Sequence, residues 1–540
     1  MSISLPSCLF KASLPPEAVF AHADVLILGD ELESLVTAIS CYALGLKVLI
    51  LRQSYARQLG GLSTRGGLSY MDLTPSLISP VFAKLIDEAG LQRVALEAET
   101  ASGVLWHTLS EAGSGIQLMS GVQPVPIVQT PTHPEQPHTL LGVNDATTGR
   151  NYTATTVIDS TPDACLIRQL PNIRHGLGLG GLFGKEPHLN ALGVTPVFRI
   201  ANLSPEGLQA VEATCRALPH MLPLLERHLP WLTPAERRTL LKRPSYKGVD
   251  YLDILNPIIG VAYHAFRYSQ DTSLAYQEAP YWIDGGNVSI LNDGTLGFNG
   301  LVGRLSPIEA QLEASITEAP LSAEWLDELA QVEAFLQTVS HNPLVKVLPP
   351  SQLYIRQTAR VQTLAPLTAQ QLYQGGCPEA EAVGSFSYWL DFRGIHPWQA
   401  YPDLHPLPKP VFRVGLKPHV FCPTLQGYGN VAVLGRSSGY SPLAQGACRI
   451  VQYNALVGEA LAAACAVRQS QPSLPLAHIP IHAIREQQAQ LSAWAGRPLS
   501  PILTEAQMPT VDPRLLAHPL LQADARFAST PTPTLLERSE

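Results

Sequence analysis

Residues 24–39 read DVLILGDELESLVTAI, and the architecture expected of the chain follows from this stretch. Residues 25–28 form a short apolar run, as is typical of a buried parallel strand. Residues 33–44 carry apolar side chains at helical spacing, and residues 48–51 form a second apolar run. The order strand, helix, strand predicts a βαβ unit. Such a unit crosses over right-handed and places the N-terminus of its helix at a ligand cleft.

The turn between this strand and helix has the position of the dinucleotide fingerprint G-x-G-x-x-G, but only its first glycine. Gly29 stands at the first position, Glu31 at the second and Ser34 at the third. The second glycine lets a pyrophosphate approach the backbone, so a carboxylate there crowds and repels it. Two unit charges about 4 Å apart interact by roughly 4 kcal/mol at an effective dielectric of about 20, or about three decades of affinity. Ser34 is a milder change, because serine is small.

A second departure concerns the end of the second strand, where the fingerprint expects an acid that holds the adenosine ribose. Arg52 stands near that position. An arginine there can accept the 2′-phosphate of NADP, although Glu31 would obstruct NADP as it obstructs other dinucleotides. Two further arrangements stay open. In one arrangement, Glu31 points outward. In the other, Glu31 and Arg52 form an ion pair that fills an empty adenosine site.

Composition limits the classes of function. The 540 residues are 46% hydrophobic and 15% charged, with a net charge of −8 and no basic run, which argues against nucleic-acid binding. The eight cysteines are scattered without metal-ligand spacing, as expected for free thiols in a reducing compartment. We find neither a secretory signal nor an apolar run long enough to span a bilayer. We therefore expect a cytoplasmic protein without an integral membrane segment.

The predicted elements divide the chain into four segments. Residues 20–184 form the first part of a dinucleotide-binding domain, and residues 185–345 form an inserted α+β domain. Residues 346–470 return to the first domain, and residues 471–540 are a proline-bearing tail.

Within these segments the pattern makes more local predictions. A small antiparallel layer is expected at 116–160, with a hairpin turn at 147–150. The inserted domain is expected to be helical at 205–242 and 327–339, and strand-like at 260–266 and 288–301. The last helix is expected at about 447–468, with one apolar face, and disorder is expected at 530–534.

Six stretches carry a resemblance to a known family. In their order along the chain they are DVLILGDELES, LGGLSTRGGLSYMD, TTVIDSTPDA, LYIRQTARV, GSFSYWLDFRGIH and NVAVLGRSSGYSPLAQGACRIVQYNALVGEALAAA. Together they resemble the FAD-dependent oxidoreductases with a glutathione-reductase-type flavin domain, and more narrowly the bacterial branch with a GG…GG loop after the second strand. The resemblance implies an α/β fold: a Rossmann-like FAD-binding domain, built from a parallel sheet and a small antiparallel layer, with an inserted α+β substrate domain.

The resemblance also implies FAD as the cofactor. It places the first turn under the pyrophosphate, the GG…GG loop along the flavin and the D-x-T-x-D turn on the adenosine side. The N-terminus of the last helix would face the isoalloxazine, where the helix dipole stabilises reduced flavin. The cofactor-binding residues carried over are Gly29, Ser34, Arg52, Gly60, Gly61, Gly66, Gly67, Thr161, Asp163, Gly435, Arg436 and Gly446.

The reaction implied is hydride transfer between a small-molecule substrate and flavin N5. The substrate-side candidates are Arg356, Arg360, Asp391, Arg393 and His396. Arg356 or Arg360 could hold a substrate carboxylate bidentately, or form an interdomain salt bridge with an acid such as Asp391. Arg360, four residues after Arg356, would share its face on a helix or a strand. His396 could act as a base near neutral pH, or cap a turn. Arg449 could stabilise an anionic flavin, or cap a strand end.

Two functions stay open from the sequence. The first is a working flavoenzyme with an unusual pyrophosphate turn. The second is a non-catalytic relative that kept the fold, lost FAD and acts as a binding or scaffold protein.

Overall fold

The computed structural model describes most of the chain. The described residues are 9–11, 14–71, 79–90, 94–129, 138–171, 173, 175–180, 182–183, 191–254, 257–270, 274–276, 278–315, 321–395, 407–417, 421–425 and 427–529.

The strands in these residues belong to one large mixed sheet, one antiparallel sheet of the inserted region, and three short pairs. They are β1 (Leu9–Lys11), β2 (Val19–Leu28), β3 (Val48–Leu51), β4 (Ile116–Met119), β5 (Pro124–Gln129), β6 (Thr139–Asp145), β7 (Asn151–Asp159), β8 (His175–Leu177), β9 (Phe198–Ala201), β10 (Tyr246–Lys247), β11 (Tyr251–Ile254), β12 (Tyr281–Ile283), β13 (Gly286–Ile290), β14 (Leu296–Phe298), β15 (Leu301–Gly303), β16 (Lys346–Leu348), β17 (Ala359–Val361), β18 (Thr363–Ala365), β19 (Gly384–Ser387), β20 (Val411–Val414), β21 (Cys422–Leu425) and β22 (Val431–Val433).

The α-helices cover the large sheet and build one side of the inserted region. They are α1 (Leu32–Ala43), α2 (Pro80–Glu88), α3 (Ala98–Ala112), α4 (Pro205–Arg216), α5 (Met221–His228), α6 (Pro234–Lys242), α7 (Ile258–Arg267), α8 (Pro307–Ser315), α9 (Ala323–Ser340), α10 (Ala369–Tyr373), α11 (Ala444–Cys448), α12 (Val451–Ser470), α13 (Ile481–Ala495), α14 (Pro513–Leu516) and α15 (Pro519–Ser529).

The centre of the large sheet is parallel, in the order β22, β7, β2, β3, β4. The predicted βαβ unit is therefore confirmed as β2, α1 and β3. The antiparallel layer consists of β5, β6 and β7, and the hairpin turn at 147–150 joins its last two strands. The prediction was wrong for β4, which pairs in parallel with β3. Helix α3 precedes β4 and supplies the crossover that a parallel pairing needs. The fold is α/β, with a Rossmann-like dinucleotide-binding domain.

Helices α1 and α12 pack against each other beside the parallel sheet. The expected helix at 447–468 is divided into α11 and α12, and the expectation of a single apolar face was wrong. Residues 451–465 of α12 are all buried, including polar ones such as Asn454 and Glu459. A helix enclosed on every side has no solvent face for a periodic pattern to mark.

The inserted region has its own core between the antiparallel sheet, in the order β10, β11, β13, β14, β9, β16, and helices that include α4, α7 and α9. The helical predictions at 205–242 and 327–339 are confirmed by α4–α6 and α9. The strand prediction at 260–266 was wrong, because these residues lie in α7. A short apolar run does not distinguish a strand from a buried helix.

The segment after residue 470 packs on the first domain. Helix α13 lies along α12, and Asp524 of α15 accepts hydrogen bonds from the N–H groups of Leu443 and Ala369, at 2.8 and 3.0 Å. The disorder expected at 530–534 lies outside the described residues. Seven of the cysteines are described, and all seven are free and buried. Among the described helices, none combines the length and the apolar character needed to cross a bilayer.

Candidate functional site

Two cavities lie along the path that the fold provides for a dinucleotide. The first, of about 800 Å³, lies at the carboxyl ends of the parallel strands and is lined by the turns that follow β2, β3, β7 and β22. The second, of about 650 Å³, includes the N-terminus of α12. Residues 353–356 contribute to both: Leu353 and Ile355 line the first cavity, and Tyr354 and Arg356 line the second.

The turn after β2 is built around Gly29, which has a φ of 113°. A Cβ atom at Gly29 would lie 2.6 Å from the carbonyl oxygen of Ser160, so only glycine fits. Ser34, at the third fingerprint position, is fully buried and donates a hydrogen bond from Oγ to Ser160 Oγ at 2.8 Å. Ser34 thus holds helix α1 against the end of β7, and it does not line the first cavity.

Glu31 is turned into the protein. The residue is 5% exposed, and its carboxylate accepts hydrogen bonds from Leu62 N–H and from Arg436 Nη2, both at 3.0 Å. A Cβ atom at Gly61 would lie 2.6 Å from both carboxylate oxygens, so glycine at 61 makes room for this side chain. The arrangement in which Glu31 points outward is therefore wrong. The proposed partner was also wrong, since Glu31 pairs with Arg436 and not with Arg52.

Arg52 pairs with Asp30. Arg52 Nη1 lies 3.0 Å from Asp30 Oδ2, and Arg65 donates to both oxygens of the same carboxylate, at 2.7 and 2.8 Å. Burial raises the pKa of Asp30, but the two arginines outweigh burial and hold that pKa below its usual value. Asp30 and Arg65 were missed in the sequence. The available signal was a charged residue placed between the two glycine pairs, a position where a loop needs small residues.

Glu33, in the first turn of α1, is a third buried carboxyl group here. Burial, together with the nearby charge of Glu31, raises the pKa of Glu33 to about 7. Its Oε2 has no hydrogen-bond partner, and its Oε1 would lie 3.2 Å from a Cβ atom at Gly435. Glu33 is therefore largely protonated below neutral pH, whereas Asp30 keeps its charge.

The remaining glycines predicted to bind cofactor are held by packing within the chain. A Cβ atom at Gly66 would lie 2.7 Å from the carbonyl oxygen of Leu62, and one at Gly67 would lie 2.5 Å from that of Val197. Gly60 and Gly435 have positive φ values of 103° and 90°.

The other predicted binding residues are divided between the first cavity and structural contacts. Thr161 lines the first cavity, as do Gly29, Arg52 and Arg436. Asp163 pairs with Arg168 instead. Gly446 packs against the backbone at Asp391, because a Cβ atom at Gly446 would lie 3.2 Å from the backbone N atom of Asp391.

The second cavity brings together three of the four predicted catalytic residues, Arg356, Asp391 and Arg449. The fourth, His396, lies outside the described residues. Arg449 donates to Asp391 Oδ2 at 2.6 Å and to the hydroxyl of Tyr354. Burial raises the pKa of Asp391, yet Arg449, Arg393 and Arg356 together hold it below its usual value.

Arg356 is 2% exposed, and its Nη1 donates to Gly193 O and Thr195 Oγ1, each at 2.7 Å. Its guanidinium carbon lies 4.2 Å from the ring centroid of Tyr354. No carboxylate of the described residues lies within 4 Å of Arg356, so the alternative of an Arg356–Asp391 salt bridge is wrong. Burial lowers the pKa of Arg356 to about 10, and the group therefore stays charged at neutral pH.

Arg360 does not share the environment of Arg356. It lies in β17, where Nη1 donates to Tyr440 O at 3.4 Å, and it lines neither cavity. The condition for a common face is not met, because Arg360 lies in β17 whereas Arg356 precedes that strand. Within the described residues, no group of three or more His, Cys, Asp or Glu side chains could hold a metal ion.

The residues of the two cavities fit FAD on the condition that the Glu31 carboxylate is displaced. The second cavity offers apolar and aromatic walls beside a helix N-terminus, as a flavin ring requires. Arg436, which lines the first cavity, and the N–H of Leu62, which lines the second, are donors for an anion, but Glu31 holds both. A pyrophosphate would have to replace the Glu31 carboxylate on these donors. Arg52 also lines the first cavity, where it shares the carboxylate of Asp30 with Arg65.

Comparison with known proteins points to one family. A family model described as FAD dependent oxidoreductase matches residues 24–488. No curated protein sequence matches the chain.

Several solved structures of flavin-dependent enzymes match the chain at low TM-scores. The monooxygenase PieE, in complex with FAD and substrate, is 13% identical over 95% of this chain and 72% of that chain, with a TM-score of 0.39. p-Nitrophenol 4-monooxygenase PnpA from Pseudomonas putida DLL-E4 is 10% identical over 95% and 94%, with a TM-score of 0.37. The brominase Bmp2 is 10% identical over 87% and 84%, with a TM-score of 0.38. Similarity at this level carries no argument about the reaction, so the family rests on the match over 24–488.

Proposed function

The chain belongs to the FAD-dependent oxidoreductases, whose cofactor is FAD, and from that premise we propose that it transfers a hydride between a small-molecule substrate and flavin N5. Bound FAD supplies the centre that accepts or donates the hydride. The observation that carries the proposal is the pair of cavities. The first is lined by Gly29, Thr161 and Arg436, and the second by the start of α12, as the family resemblance implies.

The proposal gives the residues of the first cavity the role of binding. The turn at Gly29 brings the backbone and the N-terminus of α1 to the cavity, where both favour an anion. Arg436 adds a charged donor at the end of β22. Glu31 is the competing anion for this donor, and its displacement is part of cofactor binding.

The residues of the second cavity would orient the reactants and exclude water. Residues 450–452 place the N-terminus of α12 at the cavity, where the helix dipole favours a negative charge. Asp391 and the Tyr354 hydroxyl hold the Arg449 guanidinium in one orientation. The inserted region, which we take as 185–345, contributes Asn287 and Asn299 and would set substrate choice. We place the enzyme in the cytoplasm, the compartment that suits its free thiols.

A visible absorption spectrum of the purified protein tests this function, followed by denaturation and analysis of the released cofactor. We expect a flavin spectrum and release of FAD in a stoichiometric amount. A protein that stays colourless after incubation with excess FAD would contradict the proposal.

A second candidate function is favoured by the Glu31–Arg436 ion pair. If this pair is permanent, the chain is a non-catalytic relative that binds a partner or serves as a scaffold. The colourless outcome of the same experiment supports this function.

A further inference from the structure

Arg356 has an unused edge in the second cavity. Only Nη1 donates to described residues, namely to Gly193 O and Thr195 Oγ1. The Nε and Nη2 atoms make no hydrogen bond to the described chain, although the residue is 2% exposed. These two atoms form one side of the planar guanidinium group, and their spacing matches the two oxygens of a carboxylate.

The charges around Arg356 do not balance it. Three arginines line the second cavity, and Asp391 is the one carboxylate among the described residues that line it. Asp391 is bound to Arg449, whose Nε is itself buried without a partner. Arg393 Nε lies 3.4 Å from Oδ2 of Asp284, a residue that does not line the cavity. A buried charge that lacks a counter-ion is costly. Because Arg356, unlike the similarly buried Arg360, lines a cavity, a ligand in that cavity can supply the counter-ion.

We propose that the second cavity binds a small substrate with a carboxylate group and an apolar body. The carboxylate would accept hydrogen bonds from Nε and Nη2 of Arg356. The apolar body would lie against the walls formed by Leu62, Met71 and the ring of Tyr354, which line the same cavity. This inference rests on the proposed function and names its substrate class.

One other source could supply the negative charge, namely the reduced flavin. The N-terminus of α12 and Arg449 are adjacent in sequence and line the cavity together, so they are the groups placed to stabilise the flavin. Arg356 comes from the segment that precedes β17. The experiment must therefore separate an effect on carboxylate binding from an effect on the flavin potential.

The test is calorimetric titration of the protein as purified, and of its flavin-free form, with benzoate and with its neutral analogue benzamide. We expect benzoate to bind more tightly than benzamide. Arg356→Gln should weaken benzoate binding by about 10- to 100-fold and leave benzamide binding unchanged, because a hydrogen bond to a charged group is lost. Arg356→Lys should recover part of the loss, since it keeps the charge without the planar group.

Arg360→Gln is the matched control, because Arg360, in the adjacent strand β17, is also a buried arginine but does not line the cavity. Its benzoate affinity should equal that of the parent protein. Melting temperatures of all variants establish that they are folded.

Equal affinity for benzoate and benzamide, or equal loss in Arg356→Gln and Arg360→Gln, would overturn the inference. A lowered flavin potential in Arg356→Gln with unchanged benzoate affinity would assign the residue to the flavin and overturn it as well. Failure of the proposed function is a different result, because a colourless protein can still bind benzoate through Arg356.

Discussion

The two cavities differ in how completely the chain pairs their buried arginines. In the first, Arg52, Arg65 and Arg436 are bound by the carboxylates of Asp30 and Glu31. In the second, Arg449 is bound by Asp391 and Arg393 by Asp284, but Arg356 has no carboxylate partner among the described residues. The chain thus supplies its own anions where the dinucleotide fingerprint expects a pyrophosphate. It leaves the counter-ion open where the substrate is expected. The difference indicates that a cofactor anion must displace a carboxylate of the chain in the first cavity. In the second cavity, an anionic ligand can bind Arg356 without displacing any group.

The largest expected effect comes from removing the anion of a paired cluster. Asp30→Asn leaves Arg52 and Arg65 buried without their shared carboxylate, and it should lower the free energy of unfolding by about 3–5 kcal/mol. Denaturant unfolding measures this change. Asp293→Asn is the control, because it breaks an exposed pair with Arg199 and should cost no more than about 1 kcal/mol. A similar small cost for both variants would mean that the first cavity is not charge-paired in solution.

The second effect concerns cofactor affinity. Glu31→Gly frees Arg436 and the Leu62 N–H, and it removes the carboxylate that competes with a pyrophosphate. Affinity for FAD should rise, by up to about three decades, as measured by titration of flavin-free protein with FAD. Glu313→Gln removes another carboxyl group that lines the same cavity and should leave the affinity nearly unchanged. If Glu31→Gly binds FAD no more tightly than the parent, the competition between the two anions does not exist.

The third effect concerns pH. The pKa of Glu33 is about 7 in the folded protein and near 4.5 when unfolded, so the folded state keeps a proton that the unfolded state releases between these values. Stability should therefore fall as the pH rises from about 4.5 to about 7, at about 1.4 kcal/mol per pKa unit. Glu33→Gln should remove its share of this fall. Glu459, with a pKa raised to about 7, and Asp159 and Asp524, with pKa values raised to about 6, act with the same sign, so a weaker slope should remain. An unchanged slope in Glu33→Gln would mean that Glu33 titrates normally.

The smallest expected effect is on the stability of Arg356→Gln. Because Arg356 has no carboxylate partner, its replacement should change the free energy of unfolding far less than Asp30→Asn does, while still weakening benzoate binding. Denaturant unfolding without ligand makes this comparison. A loss as large as that in Asp30→Asn would show that Arg356 serves the fold and would remove the contrast between the cavities.

Much of the first domain could be predicted from local pattern. The strand at 48–51, the helix after the Gly29 turn and the strand at β22 follow from apolar runs and spacing, because buried parallel strands are short and continuous in their hydrophobicity. The pattern failed at α7, which is buried on several sides. It predicted the helix at 447–468, but neither its division into α11 and α12 nor its burial on every side. It also failed at β4, where only the neighbouring helix shows that the pairing is parallel.

The candidate site divides along the same line. The residue types, their order and the departures at Glu31 and Arg52 are visible in the sequence, and with them the family and the conflict with a pyrophosphate. The partners of these residues are not visible, because an ion pair depends on which side chains the fold brings within about 4 Å. Glu31 and Arg436 are far apart in the chain, and only the parallel packing of β2, β7 and β22 places them together. The sequence thus settles which charges are present, whereas tertiary packing decides which of them are neutralised and which remain for a ligand.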